Sequence, residues 1–223
     1  MYNDELPEPR YRGRPSSVKT LEKLGREQLS RHFFMRNFLY SEIGAFEGIP
    51  NIPDDPALAV RAGRALAQTL LEPLVETFGP IEVRSAYRSP EVNDFGNRNG
   101  LNCASIEANR ASHIWDQRDA EGNLGACSSI VIPWFARKFE AGRDWKDLAW
   151  WMHDHLDYHA MTFFPTRAAF NLTWRENPER KISSWIGPTR TLLASGCEPN
   201  EPLAARQQGY ADFPTFRGIR YPE

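Results

Sequence analysis

The sequence has little of several features that would assign a protein to a class. Its net charge at pH 7 is only −2, so it lacks the basic excess that is typical of nucleic-acid-binding domains. No apolar run approaches the length of a membrane span. The opening stretch, MYNDELPEPRYRGRP, has no apolar core of the kind that a secretory signal needs. We therefore expect a cytoplasmic protein with neither a nucleic-acid partner nor a membrane partner.

Cysteine is also scarce. The three cysteines, Cys103, Cys127 and Cys197, are odd in number and far apart, and no CxxC pattern occurs. This spacing argues against a disulfide framework and against a cysteine-rich zinc site. It favours free thiols in a reducing compartment.

The sequence does contain the composition of a folded domain, because 41% of its 223 residues are hydrophobic and 12% are aromatic. The clearest helix pattern runs through residues 55–79. Asp55 is a suitable N-cap, Pro56 fits the first helical position, and Gly79 ends the pattern. Pro73 lies inside this pattern, so we expect a kink there.

Two further helix patterns are weaker or shorter. One follows Ser16 or Ser17, either of which is a suitable cap, and the other is RDWKDLAWWMHDHL. Strand-like segments come mostly later in the chain: IEVRSAY, SSIVIP, YHAMTFF and AAFNLTW, with a hairpin joining the last two. This order predicts a single α+β domain, in which a small, mainly antiparallel sheet has helices packed on it.

The domain organisation follows from these patterns. We expect an N-terminal arm and helix over residues 1–30, the main domain over 31–190, and an irregular tail over 191–223. Residues 94–128 have little periodicity and predict a long loop, which in a compact domain is usually functional or mobile.

Three segments occur in the same order as in one known family. They are FLYSEIGAFEGIPNIPDDP, LAQTLLEPLVETFG and IEVRSAYRSPEVN. From about Phe38 to Asn93 the chain resembles the zinc D-Ala-D-Ala carboxypeptidases of the hedgehog/DD-peptidase fold. The likeness is weaker from His113 to Trp174 and absent from the first thirty residues. The resemblance implies a zinc ion held by His, Asp and His, with an acid that activates the bound water.

The first half of that zinc site is incomplete in this sequence. The family pattern resembles S-x-H-x-x-G-x-A-x-D, and His113 matches its histidine while Ala111 replaces its serine. Read without a gap, the aspartate position falls on Ala120. Read with an insertion, it falls on Ser129. Either alignment removes the carboxylate ligand.

The second half is incomplete as well. The family's last strand resembles W-x-H-x-S, and in AAFNLTW the second histidine is replaced by Asn171. Thr162 or Phe163 stands near the expected acid. Asparagine and serine are poor zinc ligands. Three losses together favour a different function on the same scaffold.

The resemblance also indicates a cleft with Arg88, His113, Ser129 and Asn171 around it, and Trp174 as a candidate wall. In the family the arginine helps to hold the substrate, and a guanidinium group suits a carboxylate. The alternative role for Arg88 is structural, with its side chain bonding carbonyl groups of the long loop.

Two function classes stay open. In the first, the cleft binds a small molecule or a peptide end without family-type peptidase activity. In the second, the protein is a metal-dependent hydrolase, such as a D,D-carboxypeptidase. Its zinc or iron would be bound by His113 with Asp116, Asp119 or His159 as replacement ligands.

Overall fold

The structure is a computed structural model that describes residues 6–11 and 13–216. Its helices are α1 (Val18–Gly25), α2 (Glu42–Glu47), α3 (Pro56–Leu66), α4 (Glu72–Phe78), α5 (Pro90–Arg98), α6 (Ile106–Asn109), α7 (Pro133–Glu140), α8 (Trp145–His155) and α9 (Leu203–Gly209). Its strands are β1 (Glu82–Ser85), β2 (Gly125–Val131), β3 (Ala160–Phe163), β4 (Phe170–Arg175), β5 (Lys181–Ser184) and β6 (Thr191–Leu193).

The predicted helix over residues 55–79 is present and is interrupted as Pro73 requires. The Asp55 side chain accepts a hydrogen bond from the Leu58 N–H, and Pro56 occupies the first turn. A π-helical segment, Ala67–Leu71, separates α3 from α4. Proline lacks an N–H and crowds the carbonyl four residues earlier, and the wider π-turn accommodates both defects. The expected kink is therefore a π-turn.

The strands form one sheet with the order β1-β2-β4-β3-β5-β6 among the described residues. All neighbouring pairs are antiparallel except β3 and β5, which are parallel. The four segments predicted as strands all belong to this sheet, and β3 and β4 form the predicted hairpin. The prediction of a single α+β domain with a mainly antiparallel sheet is confirmed.

Helices α3, α4 and α8 cover one face of this sheet and form the main core with it. The apolar stripe of the long helix is fully buried at Leu66, Leu70, Leu71 and Leu74. Helix α8 lies on the same side, because the ring centroids of Phe78 and Trp151 are 4.6 Å apart, and those of Trp145 and Phe163 are 4.9 Å apart. Within the described ranges, no helix has the length and apolar character needed to cross a bilayer.

The predicted loop over residues 94–128 is shorter than expected. Ser89 caps α5, which continues to Arg98, and β2 begins at Gly125. The Asn93 side chain is fully buried in α5 and donates to the Ala104 carbonyl oxygen. A buried polar residue of this kind does not count as an apolar position, so the hydrophobic pattern of α5 is weak. Asn93 is satisfied by a loop carbonyl, which the pattern does not reveal.

The prediction of an irregular tail from residue 191 was wrong for the part that the structure describes. β6 pairs with β5 at the sheet edge, and α9 packs on α8. The side chains that fix α9, chiefly Arg206 and Tyr210, bond Asp154 of α8. No local pattern signals contacts of this range.

Candidate functional site

A row of polar side chains crosses the sheet on the face opposite the main core. Residues that pair across strands carry their side chains on the same face, so the register defines this row. It joins Ser85 to Ser129, Ser129 to Asn171, Asn171 to Thr162, and Thr162 to Ser183. We call these five residues the polar row and their side of the sheet the open face.

The alternate positions of the same strands face the helices. Leu172, Met161, Phe163 and Ile182 are fully buried in the main core. In contrast, Asn171, Thr162 and Ser183 are only partly buried, although none of them ends a strand. A sheet that buries aliphatic residues on one side and presents hydroxyl and amide groups on the other has a surface suited to polar contacts.

Arg88 lies at the β1 end of the polar row. Its backbone N–H donates to the His113 carbonyl oxygen at 2.8 Å, which fixes the chain just beyond β1. Its guanidinium contacts the Ser85 Oγ and the Cys103 Sγ, each at 3.4 Å. Within the described residues it has no carboxylate partner. No bond from the Arg88 side chain to a loop carbonyl is present among the described residues, although its contact with Cys103 does reach the predicted loop.

His113 is held beside Arg88 in a neutral form. Its side chain is buried, and Nδ1 lies 2.7 Å from the Ala86 carbonyl oxygen, so Nδ1 carries the proton and donates. Burial, reinforced by the Arg88 charge, lowers the pKa of His113 to about 3. Its Nε2 atom is therefore an uncharged acceptor at neutral pH.

The His113 loop runs alongside β2 where β1 has ended. The Cys127 N–H donates to the Ser112 carbonyl oxygen at 2.9 Å. Gly125 permits this approach, because a Cβ there would clash with the Ala111 carbonyl. Cys127 shares the face of Ser129, and burial raises the pKa of its thiol to about 11. It is therefore a protonated, inert thiol.

Asp116 has a structural role. Its carboxylate accepts hydrogen bonds from the N–H groups of Asp54 and Asp55, at 2.7 and 3.3 Å, and from the Tyr87 hydroxyl at 3.2 Å. These contacts tie the loop to the start of α3. Burial raises the pKa of this carboxyl group.

The other two proposed replacement ligands, Asp119 and His159, make contacts with groups other than His113. Asp119 accepts bonds from the backbone of its own turn and lies 3.6 Å from Arg175. The His159 Nδ1 accepts from the Glu179 N–H at 3.2 Å. In the described part of the chain, no three His, Cys, Asp or Glu side chains are grouped so that they could hold a metal ion.

The donor set therefore does not fit the zinc site that the resemblance implies. Ser129 and Asn171 are adjacent across strands, as the alignment with the two missing ligands requires, but they supply a hydroxyl and an amide. Neither group is a good zinc ligand. His113 alone does not make a catalytic zinc site, which takes three protein ligands.

Trp174 differs from its predicted position as a cleft wall. It pairs with Ala126 and packs against the main core, on the other side of the sheet from Asn171. The separation of three residues along a strand places two side chains on opposite faces. The prediction that Trp174 lies in the cleft was wrong.

Sequence reasoning also missed residues that the structure places on the open face. Ser183 belongs to β5, a short strand with weak β character in the sequence KISS. Ser85 was inside a predicted strand, but its neighbours across the sheet depend on pairing order. The alternation of polar and apolar residues in these strands was the available signal.

Two surface pockets lie away from the polar row. One of about 530 Å³ lies beside α1, and one of about 410 Å³ lies near His32.

Comparisons with protein-family models, curated proteins and solved structures find no match for this chain.

Proposed function

We propose that the open face binds a small ligand or a peptide end by holding the carboxylate of that ligand. The protein would lack the peptidase activity of the family that the sequence resembles. Arg88 is the anion-binding group, and the polar row bonds the body of the ligand. The observation that supports this most is the state of Arg88, a half-buried guanidinium with no carboxylate partner in the described structure.

Arg88 has more hydrogen-bonding capacity than its protein contacts use. A guanidinium carries five N–H donors in a planar fork that fits a carboxylate at two points. The contacts to Ser85 and Cys103, both at 3.4 Å, are long and uncharged. A partly buried cation is stabilised by an anion that satisfies the remaining donors.

The neighbouring titratable groups do not compete with a bound anion. His113 is neutral, and the thiol of Cys127 keeps its proton, since burial lowers the pKa of one and raises that of the other. Neither group places a negative charge near Arg88 at neutral pH. The local field therefore favours an anionic ligand.

The polar row has free capacity for a peptide-like ligand. The side chains of Ser129 and Asn171 form no hydrogen bond within the described residues, while Thr162 and Ser183 bond each other at 2.9 Å. The Asn171 amide both donates and accepts, as a peptide group does. A ligand with amide groups would pair with this row.

The first prediction concerns binding. We expect the protein to bind N-acetyl-Ala-Ala as a free acid, in its D,D or its L,L form, and to bind the matching C-terminal amides much more weakly. Arg88→Ala should weaken free-acid binding by about 10- to 100-fold, because a hydrogen bond to a charged group contributes about 1.5–3 kcal/mol. Isothermal titration calorimetry measures both.

Arg84→Ala is the matched control, since Arg84 is an exposed arginine of β1, just before the segment that carries Arg88. It should leave the affinity unchanged. Equal affinity for acids and amides would contradict the proposal. Incubation of the D,D peptide with zinc and the protein tests the catalytic part. Zinc-dependent release of D-alanine that is lost in His113→Ala would show a working peptidase instead.

A further inference from the structure

A second row on the open face is apolar and ends in an exposed tryptophan. The Phe164 N–H donates to the Ala169 carbonyl oxygen at 2.7 Å, and the Trp185 N–H donates to the Phe163 carbonyl oxygen at 2.8 Å. These bonds continue the sheet ladders one residue beyond β3 and β5. The alternation of side chains then places Phe164 on the same face as Thr162 and Trp185 on the same face as Ser183, which is the open face.

Burial along β5 supports this placement. Ile182 and Ser184 are buried, and Ile186 packs against the main core. The alternate residues point the other way, and Trp185 is 61% exposed. A large aromatic side chain is thus held on the open face, next to the last residue of the polar row.

The apolar row consists of Val131, Ala169, Phe164 and Trp185. A helix covers its Val131 end, and its Trp185 end is exposed. Phe164 packs with Val131, Ala136 and Ala169 in a small cluster separate from the main core. Ala136 belongs to α7, which covers the Val131 end. In the described part of the chain, no helix covers Trp185 in this way. The Arg190 guanidinium lies 5.2 Å from its ring centroid and occupies one ring face, leaving the other ring face for a partner.

We infer that Trp185 forms a second subsite, which stacks on an aromatic group of the same ligand that Arg88 holds by its carboxylate. This inference rests on the proposed function. It assigns the ligand to a chemical class: a peptide-like molecule with a free carboxylate at one end and an aromatic group near the other. Charge complementarity at Arg88 and an exposed aromatic surface at Trp185 are the two features that such a ligand matches.

The separation of the two subsites sets the length of the ligand. The polar row crosses β1, β2, β4, β3 and β5, which is four inter-strand spacings, or about 19 Å. An extended peptide advances about 3.3–3.4 Å per residue. A chain of about six residues therefore spans the distance from Arg88 to Trp185, and a dipeptide does not reach Trp185.

The experiment compares two acetylated hexapeptide acids by calorimetry. One has tyrosine at its amino end, then three glycines and two D-alanines, and the other has alanine in place of the tyrosine. The tyrosine peptide should bind about 3- to 10-fold more tightly, since an aromatic pair contributes about 0.5–1.5 kcal/mol. Trp185→Ala should abolish this difference and leave the affinity for N-acetyl-D-Ala-D-Ala unchanged.

Phe46→Ala is the matched control, because Phe46 is an aromatic residue of α2 that is 89% exposed. It should keep the preference for tyrosine. Protection of tryptophan fluorescence from acrylamide provides an independent measurement, since Trp185 is 61% exposed and the other six tryptophans are buried or only partly exposed. If the dipeptide binds and the tyrosine gives no gain, the second subsite is refuted and the proposed function stands. If neither the dipeptide nor the hexapeptides bind, both are refuted.

Discussion

Individual side chains in this protein have roles that their residue type does not fix. Asp116 and Asp119 are three residues apart, yet one ties a loop to the start of α3 and the other stabilises its own turn. His113 matches a metal-ligand position by sequence. In the structure it is a buried neutral imidazole whose Nδ1–H donates a hydrogen bond to a backbone carbonyl. At this scale, the environment decides the chemistry of each group.

The buried state of His113 makes stability depend on pH. Its pKa is about 3 in the folded protein, against an ordinary value of 6.5, so the unfolded chain binds more protons between these values. Stability therefore falls as the pH decreases from 6.5 towards 3. Between pH 7 and pH 5, we expect His113 to account for a loss of about 2 kcal/mol.

Urea unfolding at both pH values, with wild type and His113→Gln, measures this contribution. His153 and His159, whose pKa values burial lowers to about 4, add to the wild-type dependence and remain in the variant. The difference between the two proteins therefore isolates His113. An unchanged pH dependence in the variant would show that His113 is not buried in the neutral form.

At the scale of elements, the long interrupted helix positions the rest of the fold. Its N-terminus is tied to Asp116, and its apolar stripe packs under the sheet. The π-turn before Pro73 keeps α3 and α4 on one continuous path, so both contribute to the same core. Proline would otherwise break the helix at this point.

Capping of this helix gives a prediction with a neighbouring control. The Asp55 side chain accepts the Leu58 N–H at 3.0 Å, and its loss leaves that donor without its cap. We expect Asp55→Ala to lower the free energy of unfolding by about 1 kcal/mol. Asp54→Ala removes only an exposed ion pair with Arg14 and should cost less than about 0.5 kcal/mol.

Thermal and urea unfolding of the two variants test the comparison directly. Both substitutions keep the backbone N–H groups that donate hydrogen bonds to Asp116. Equal losses for the two variants would mean that the cap does not contribute.

At the scale of the whole molecule, a buried ion pair joins the C-terminal helix to the body of the protein. Arg206 of α9 lies 2.6 Å from Asp154 of α8, with about 10% of each side chain exposed. The Tyr210 hydroxyl donates to the same carboxylate at 2.7 Å. The Arg206 guanidinium also lies 5.4 Å from the Trp150 ring centroid.

We expect Arg206→Ala to reduce the free energy of unfolding by about 3 kcal/mol, because it leaves the Asp154 charge buried without its cation. Lys138→Ala removes an exposed pair with Asp212 and should cost at most about 1 kcal/mol. Urea unfolding compares them. The double variant Arg206→Met, Asp154→Leu should recover much of the loss, since it removes both charges. A loss in Arg206→Ala no larger than in Lys138→Ala would contradict this view of the interface.

The sequence by itself determined the local elements. The cap at Asp55, the stop at Gly79, the apolar stripe from Leu66 to Phe78 and the strand patterns were sufficient for the α+β class. Each of these signals depends on residues within a few positions of one another, and local backbone preferences act over that range. The same reasoning missed α5, whose buried Asn93 bonds a loop carbonyl 11 residues later, and β6, a three-residue strand that exists only by pairing with β5.

Only the tertiary structure decided which side chains meet. The alignment placed Ser129 and Asn171 around one cleft, but their direct pairing, and the extension of the row to Ser85 and Ser183, depend on the strand order β1-β2-β4-β3-β5. The tertiary structure also packed Trp174 against the main core and placed Trp185 on the open face. Strand order and register are set by the packing of the whole core, because shifting a strand by one residue would bury its polar side and expose its apolar side.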